Sequence, residues 1–220
     1  MSRYIKKQFL VLGLGRFGRS VARTLHGKGY EVMAVDVSQE KVNNAVEYTS
    51  RVVRADLNDE NVLQAIGAGE FDVAVVATGK ENETAIMNTM LLKELGVRKV
   101  IVKADTEIQK KALYKVGADK VVFPERDTGR RVAMSLIHDN VFDFMEVTEN
   151  ISIAEIAALN QWIGKTIVES DIRRKHDINV IAIKSEGHIS MPYEEERVIQ
   201  YGDVLVVIGT VDAIDRIGRA

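Results

Sequence analysis

Residues 10–25 read "LVLGLGRFGRSVARTL": glycines at 13, 15 and 18 separate an apolar run from a stretch with helical spacing. The spacing alone arises by chance. It gains meaning from a strand before it, a helix after it and a carboxylate downstream. In that setting Gly13 permits the tight turn and Gly15 lets a pyrophosphate approach the backbone. Gly18 lets the helix pack closely on the strand, with Phe17, Val21 and Leu25 facing the sheet. Amide N–H groups at a helix start attract anions, and Arg16 adds a cation suited to phosphate. Asp36 closes the second apolar run, where a carboxylate accepts both ribose hydroxyls and disfavours the 2′-phosphate of NADP.

Further candidates stand at the ends of the later runs. Asp56 and Leu57 follow the third, beside where an adenine would lie. Ala77, Thr78 and Gly79 close the fourth and border the switch-point crevice. Lys103 closes the fifth, in reach of a terminal phosphate, and Glu125 follows the sixth. For Lys103 and Glu125 taken singly, a surface salt bridge is as good a reading as a ligand contact.

No reaction chemistry accompanies this site. A dehydrogenase needs a proton-transfer group and a substrate pocket besides its nucleotide. His26 falls at the far end of the first helix, His138 in a connecting segment, and His176 and His188 in the C-terminal part; there is no Tyr-x-x-x-Lys pair. "GKT" at Gly164–Thr166 lacks the first glycine of a P-loop, since position 159 is Leu, and reads as a turn entering a helix.

The elements that must position these residues are legible from patterning. The runs "QFLVLGLG", "YEVMAVD", "RVVRAD", "FDVAVVATG", "RKVIVKAD" and "DKVVFPE" are Val- and Ile-rich without polar alternation, as in strands buried on both faces of a parallel sheet. Helix candidates lie between them; "ENETAIMNTMLLKELG" places Ile86, Met90 and Leu91 on one face, with Gly96 to stop it. Alternation of this kind means an α/β fold, with a Rossmann-like doubly wound parallel sheet in residues 1–124. Residues 125–142, with Val132, Leu136 and Ile137 at helical spacing, read as a connecting crossover helix. Residues 143–220 read as a second, smaller α/β domain, in which "INVIAIKSEGHISMP" is a hairpin and "GDVLVVIGTVDAIDRI" a strand leading to a helix.

Composition narrows the function further. The 220 residues are 46% hydrophobic with a formal net charge of −2, which gives no reason to expect nucleic acid or an anionic membrane surface as partner. The absence of cysteine removes disulfides and thiolate metal sites and fits a reducing cytoplasm. Neither a signal-peptide layout nor a membrane-spanning apolar run is present, so no direct membrane insertion is expected.

The ordered series "FLVLGLGRFGRSVARTL…EVMAVD", "VVRADLNDENVL", "VVATG", "VIVKA", "GADKVVFPERD" and "DIRRKHDINVIAIK…GDVLVVIG" resembles RCK proteins, in particular the TrkA-N plus TrkA-C regulatory subunits of Ktr/Trk-type potassium uptake, over nearly the whole chain. The resemblance implies a cytosolic subunit, not an enzyme, that binds ATP or ADP, and in some relatives NAD. It implies homodimers assembled into an octameric ring docked under a membrane potassium transporter at the inner face of the membrane. It implies that Arg16 reaches the nucleotide phosphates of a neighbouring subunit and that Glu125 binds a divalent cation, Mg²⁺ or Ca²⁺, beside the γ-phosphates. Several bacterial members bind cyclic di-AMP in the C-terminal domain; the matching positions are Arg173 and Asn179, with Ile172 and Val180 as apolar neighbours. Family members often carry an aromatic residue and Gly where this chain has His176-Asp177. Two alternatives stand beside this reading: a small NAD-dependent oxidoreductase, and a ring stabilised by nucleotide without a switch.

Overall fold

The computed structural model describes residues 7–78, 82–148, 150–191 and 196–219. The chain divides into two compact units, Met1–Arg126 and Asp127–Ala220.

In the first unit the elements run β1 (Gln8–Leu12), α1 (Arg16–Gly27), β2 (Glu31–Asp36), α2 (Gln39–Ala45), β3 (Arg51–Arg54), α3 (Asn61–Ala65), β4 (Val73–Val76), α4 (Asn82–Glu94), β5 (Lys99–Lys103), α5 (Glu107–Lys115) and β6 (Lys120–Val122). The six strands form one parallel sheet in the order β3-β2-β1-β4-β5-β6. Every expected strand is present. Their apolar runs are unbroken because both faces are covered. Leu10, Leu12, Met33, Val35, Ala74 and Val76 pack into one core. The intervening Val11, Val32, Ala34 and Val75 pack into another, against which Phe17, Val21 and Leu25 of α1 lie.

The phase of α4 differs from the apolar reading. Met90 is 42% exposed, whereas Ala85, Asn88, Thr89 and Leu92 are buried, and Ile86 and Leu91 only flank the core. Polar residues occupy this face because their groups are satisfied there. Asn88 Nδ2 donates to the carbonyls of Leu57 and Thr84 at 2.9 and 2.8 Å, and Thr89 Oγ1 to Ala85 O at 2.6 Å. As expected, Gly96 follows the helix, with φ +88°.

Helix α6 (Pro124–Ile137) has no buried residue; Val132, Leu136 and Ile137 are all exposed, while Met134 flanks the C-terminal core. It ends short of the expected residue 142. The buried His138 leaves the helix to pair its Nε2 with Asp215 Oδ1 at 2.8 Å, and Val141 already begins a strand.

The second unit adds β7 (Val141–Glu146), β8 (Ile151–Ala157), α7 (Ile167–Ser170), α8 (Ile172–His176), β9 (Ile178–Ser185), β10 (His188–Ser190), β11 (Val204–Thr210) and α9 (Val211–Gly218). The strands form a five-stranded sheet in the order β10-β9-β11-β8-β7, antiparallel throughout. The expected β9–β10 hairpin turns at Glu186 and Gly187, both at positive φ (48° and 83°), as a two-residue primed turn requires. Thr166 of the "GKT" sequence caps α7 in a reciprocal capping box with Glu169, the turn into a helix read there.

Candidate functional site

The carboxyl ends of all six parallel strands meet at a cavity of about 390 Å³ in the first unit. A parallel sheet sends every strand end to one edge, which is why residues far apart in sequence converge there.

The glycine loop forms one wall. Gly13 sits at φ +93°, and a Cβ there would come 2.8 Å from the Ala77 carbonyl oxygen. A Cβ on Gly18 would overlap the Gly13 carbonyl and press on Ala77 Cβ at 3.0 Å. Both glycines are therefore required by packing of the chain on itself. Gly18 is buried behind this wall, while Phe17 lines the cavity. Gly15 is different. It is the N-cap of α1 with φ −65°, and a Cβ there would meet nothing within 4 Å among the described residues.

Asp36 holds the loop. Its carboxylate, 5% exposed as a residue, accepts from Leu14 N at 2.7 Å and from Ser38 N at 2.9 Å. Lys41 Nζ lies 3.1 and 3.4 Å from its two oxygens. The residue read as the ribose acceptor is thus also the staple between β1 and β2. Lys41 was not foreseen; it reaches the carboxylate from the first turn of α2, whose N-cap Ser38 follows Asp36 by two positions.

Asp56 and Leu57 line the next part of the cavity, joined by Asn58 and Thr84, which sequence reasoning also missed. Asp56 Oδ1 accepts from Asn58 N at 3.0 Å, and Thr84 Oγ1 donates to Asn58 Oδ1, which ties this loop to α4. Ala77 and Thr78 line the switch-point side. Thr78 Oγ1 is buried and has no partner among the described residues. Gly79 lies outside the described residues.

Lys103, Glu125 and Arg16 form the remaining wall. The two residues left ambiguous from sequence are paired with each other: Lys103 Nζ lies 2.7 Å from Glu125 Oε1. That hydrogen bond holds the Glu125 carboxyl below its ordinary value against a smaller opposing effect of burial, with Arg16 adding a weaker pull. Among the described residues no group of three or more His, Asp or Glu side chains is placed to hold a metal ion. Glu125 fits a hard divalent cation as one oxygen donor, with the rest of the coordination left to other groups such as phosphate oxygens.

In the second unit Arg173 and Asn179 are both exposed, on either side of the junction between α8 and β9. Val180 is half-buried beside the core. Ile172, expected as an apolar neighbour of these two, is 2% exposed and packs in the core. Asp177 takes the left-handed conformation (φ 57°) that glycine adopts without strain, and His176 packs edge-on to Trp162 at 5.6 Å, as an aromatic ring would.

Comparison with known proteins agrees with this architecture. The TrkA-N domain family matches residues 9–124 and the TrkA-C domain family residues 151–220. The chain is 42% identical over 212 residues to the Ktr system potassium uptake protein C of Bacillus subtilis (strain 168), covering 96% of each. It is 38% identical over 216 residues to the Ktr system potassium uptake protein A of the same organism, covering 98% of this chain and 97% of the relative. Among solved structures it is similar in fold to the GsuK channel bound to NAD, with a TM-score of 0.68 and 19% identity over 99% of this chain and 40% of the channel chain.

Proposed function

The chain belongs to the RCK family, as a TrkA-N plus TrkA-C regulatory subunit of the Ktr/Trk type of potassium uptake, and we propose that it senses an adenine nucleotide in its N-terminal unit and passes that state to a membrane potassium transporter. Gly15 carries this reading. Its φ suits any residue and a Cβ there would touch no atom of the described residues, so none of them asks for glycine there. A phosphate resting on the amides at the start of α1 does ask for it. The similar channel fold named with NAD supports the same choice, since NAD contains an ADP moiety.

The proposed effectors are ATP and ADP. They share the adenosine and two phosphates, which Asp36, the Asp56–Leu57 loop and the glycine loop would hold alike. A ligand shifts a conformational equilibrium only through unequal affinity for its states. The differential part is the γ-phosphate, addressed by Arg16 and by Glu125, which would hold Mg²⁺ or Ca²⁺. The ion supplies positive charge shared with the phosphate oxygens. A tenfold preference needs about 1.4 kcal/mol, within the range of one charge-assisted hydrogen bond. Assembly of homodimers into an octameric ring at the inner membrane face, through the transporter, would turn that preference into a gate. Arg173 and Asn179, with Ile172 and Val180 as apolar neighbours, are proposed to receive cyclic di-AMP as a second effector.

The deciding experiment is potassium flux through the reconstituted transporter with this protein, in ATP against ADP. Different fluxes are expected. Identical fluxes refute the switch, and NADH oxidation by the purified protein would restore the oxidoreductase reading.

A further inference from the structure

Lys103 ends strand β5, and Glu125 lies in the first turn of α6, which follows the neighbouring strand β6, on the wall shared with Arg16. The ammonium lies 2.7 Å from Glu125 Oε1 and 3.7 Å from Asp105 Oδ1. The lysine side chain is only 17% exposed, whereas the Glu125 side chain is 65% exposed. The lysine is therefore the anchored partner, and the carboxylate that faces solvent already has a cation on it. The ammonium occupies Oε1, and its charge repels a divalent ion approaching the same carboxylate at about 2.0–2.6 Å.

We propose that Lys103 is the resident counter-cation of Glu125, withholding that carboxylate from divalent ions until a terminal phosphate draws the ammonium away. The inference rests on the proposed role of Glu125 toward a cation and assigns how that role is regulated. A phosphate bound near Arg16 offers Lys103 a second anionic partner. When the ammonium turns to it, Glu125 is exposed as a hard oxygen donor at the moment phosphate oxygens are present to complete the coordination. One lysine thereby couples nucleotide and ion. Without the phosphate, an ion approaching Glu125 works against the charge of the lysine.

The test is Mn²⁺ binding to the full-length protein, followed by electron paramagnetic resonance without nucleotide and with ATP. In the unaltered protein Mn²⁺ is expected to bind weakly alone and more tightly with ATP. Lys103→Met should raise the affinity measured without nucleotide roughly fivefold, the scale of a lost competing ion pair, and narrow the difference between the two conditions. Lys103→Arg, which keeps the charge, should preserve the difference. An unchanged or lower affinity in Lys103→Met overturns the proposal. Glu125→Gln separates the two layers: if it leaves Mn²⁺ binding with ATP intact, the Glu125 role itself fails, whatever Lys103 does. Should Lys103→Met not fold, the unaltered protein gives the answer through its ¹⁵Nζ-labelled Lys103 resonance. Addition of ATP without metal is expected to shift that resonance, and an unmoved resonance refutes the proposal.

Discussion

The two units present their proposed ligand residues in opposite ways. In Met1–Arg126 all strands run the same direction, so six strand ends deliver Gly15, Asp36, Asp56, Ala77, Lys103 and Glu125 to one cavity with walls of its own. In Asp127–Ala220 the strands alternate in direction, and Arg173 and Asn179 lie exposed on either side of a helix–strand junction. The first arrangement can bury a ligand within one chain. The second offers a ligand charge and hydrogen bonds on an open surface, where affinity grows only as another surface closes over it. The proposed nucleotide would thus rest in an enclosed cleft, and the proposed second effector on an open corner.

The sharpest break in this comparison separates two glycines of the same loop. Gly18→Val forces a side chain into the Gly13 carbonyl and should destabilise the N-terminal unit by about 3 kcal/mol or more. In Gly15→Val the added Cβ meets no described atom within 4 Å, so the change should cost about 1 kcal/mol or less in stability while abolishing ADP and ATP binding. Thermal denaturation and calorimetry measure the two effects separately. If Gly15→Val binds nucleotide with unaltered affinity, the cavity is not a pyrophosphate site.

Next in size is Asp36→Ala. It removes the acceptor from the buried Leu14 N–H and should cost about 1–3 kcal/mol of stability, besides weakening both nucleotides about ten- to a hundredfold. Because the shared adenosine is affected, ATP and ADP should weaken equally. A loss confined to ATP would place Asp36 at the wrong end of the ligand.

How much of this was readable in the sequence follows from what each region asks of its residues. Strands buried on both faces have only apolar positions, so β1 to β6 stand out, and the glycine–carboxylate pattern marks the loop they support. Lys41 was hidden because its role depends on α2 turning its first residues back over Asp36. The Lys103–Glu125 pair was hidden because adjacency of β5 and β6 decides it, not either residue alone. The phase of α4 was misread because Asn88 and Thr89 satisfy their polar groups on the buried face. Strand β8 was missed because its inward row is Ser152, Ala154 and Ile156, while Ile151 and Ile153 are only half-buried. There the hydrophobic residues point the wrong way for a simple alternation rule.

A smaller effect tests the open corner of the second unit. Arg173→Ala should weaken cyclic di-AMP binding about tenfold or more, through loss of one charge-assisted bond to phosphate, and leave ADP affinity unchanged. Equal loss of both ligands in calorimetry would contradict the assignment of separate sites to the two units.

The smallest expected effect concerns His176, whose ring lies against Trp162 and whose buried Nε2 has no partner among the described residues. Burial first, and the neighbouring Lys175 second, hold its pKa below the ordinary 6.5. The sign follows from proton counting. In acid the unfolded chain binds this proton more readily than the folded one, so the contribution is full above about pH 6.5 and is lost as pH falls through the lowered folded value. His176→Phe keeps a ring against Trp162 and removes the titration. The variant should therefore lose part of the acid-side decline in melting temperature seen between pH 6.5 and 5, without gaining stability at pH 8. The cavity of the first unit contains no histidine, so nucleotide binding should show no matching change. A variant whose melting temperature keeps the same pH dependence would show that the ring is not held neutral by its packing. An unequal response of ADP affinity across the same range would mean that the two units do not report on separate chemistry.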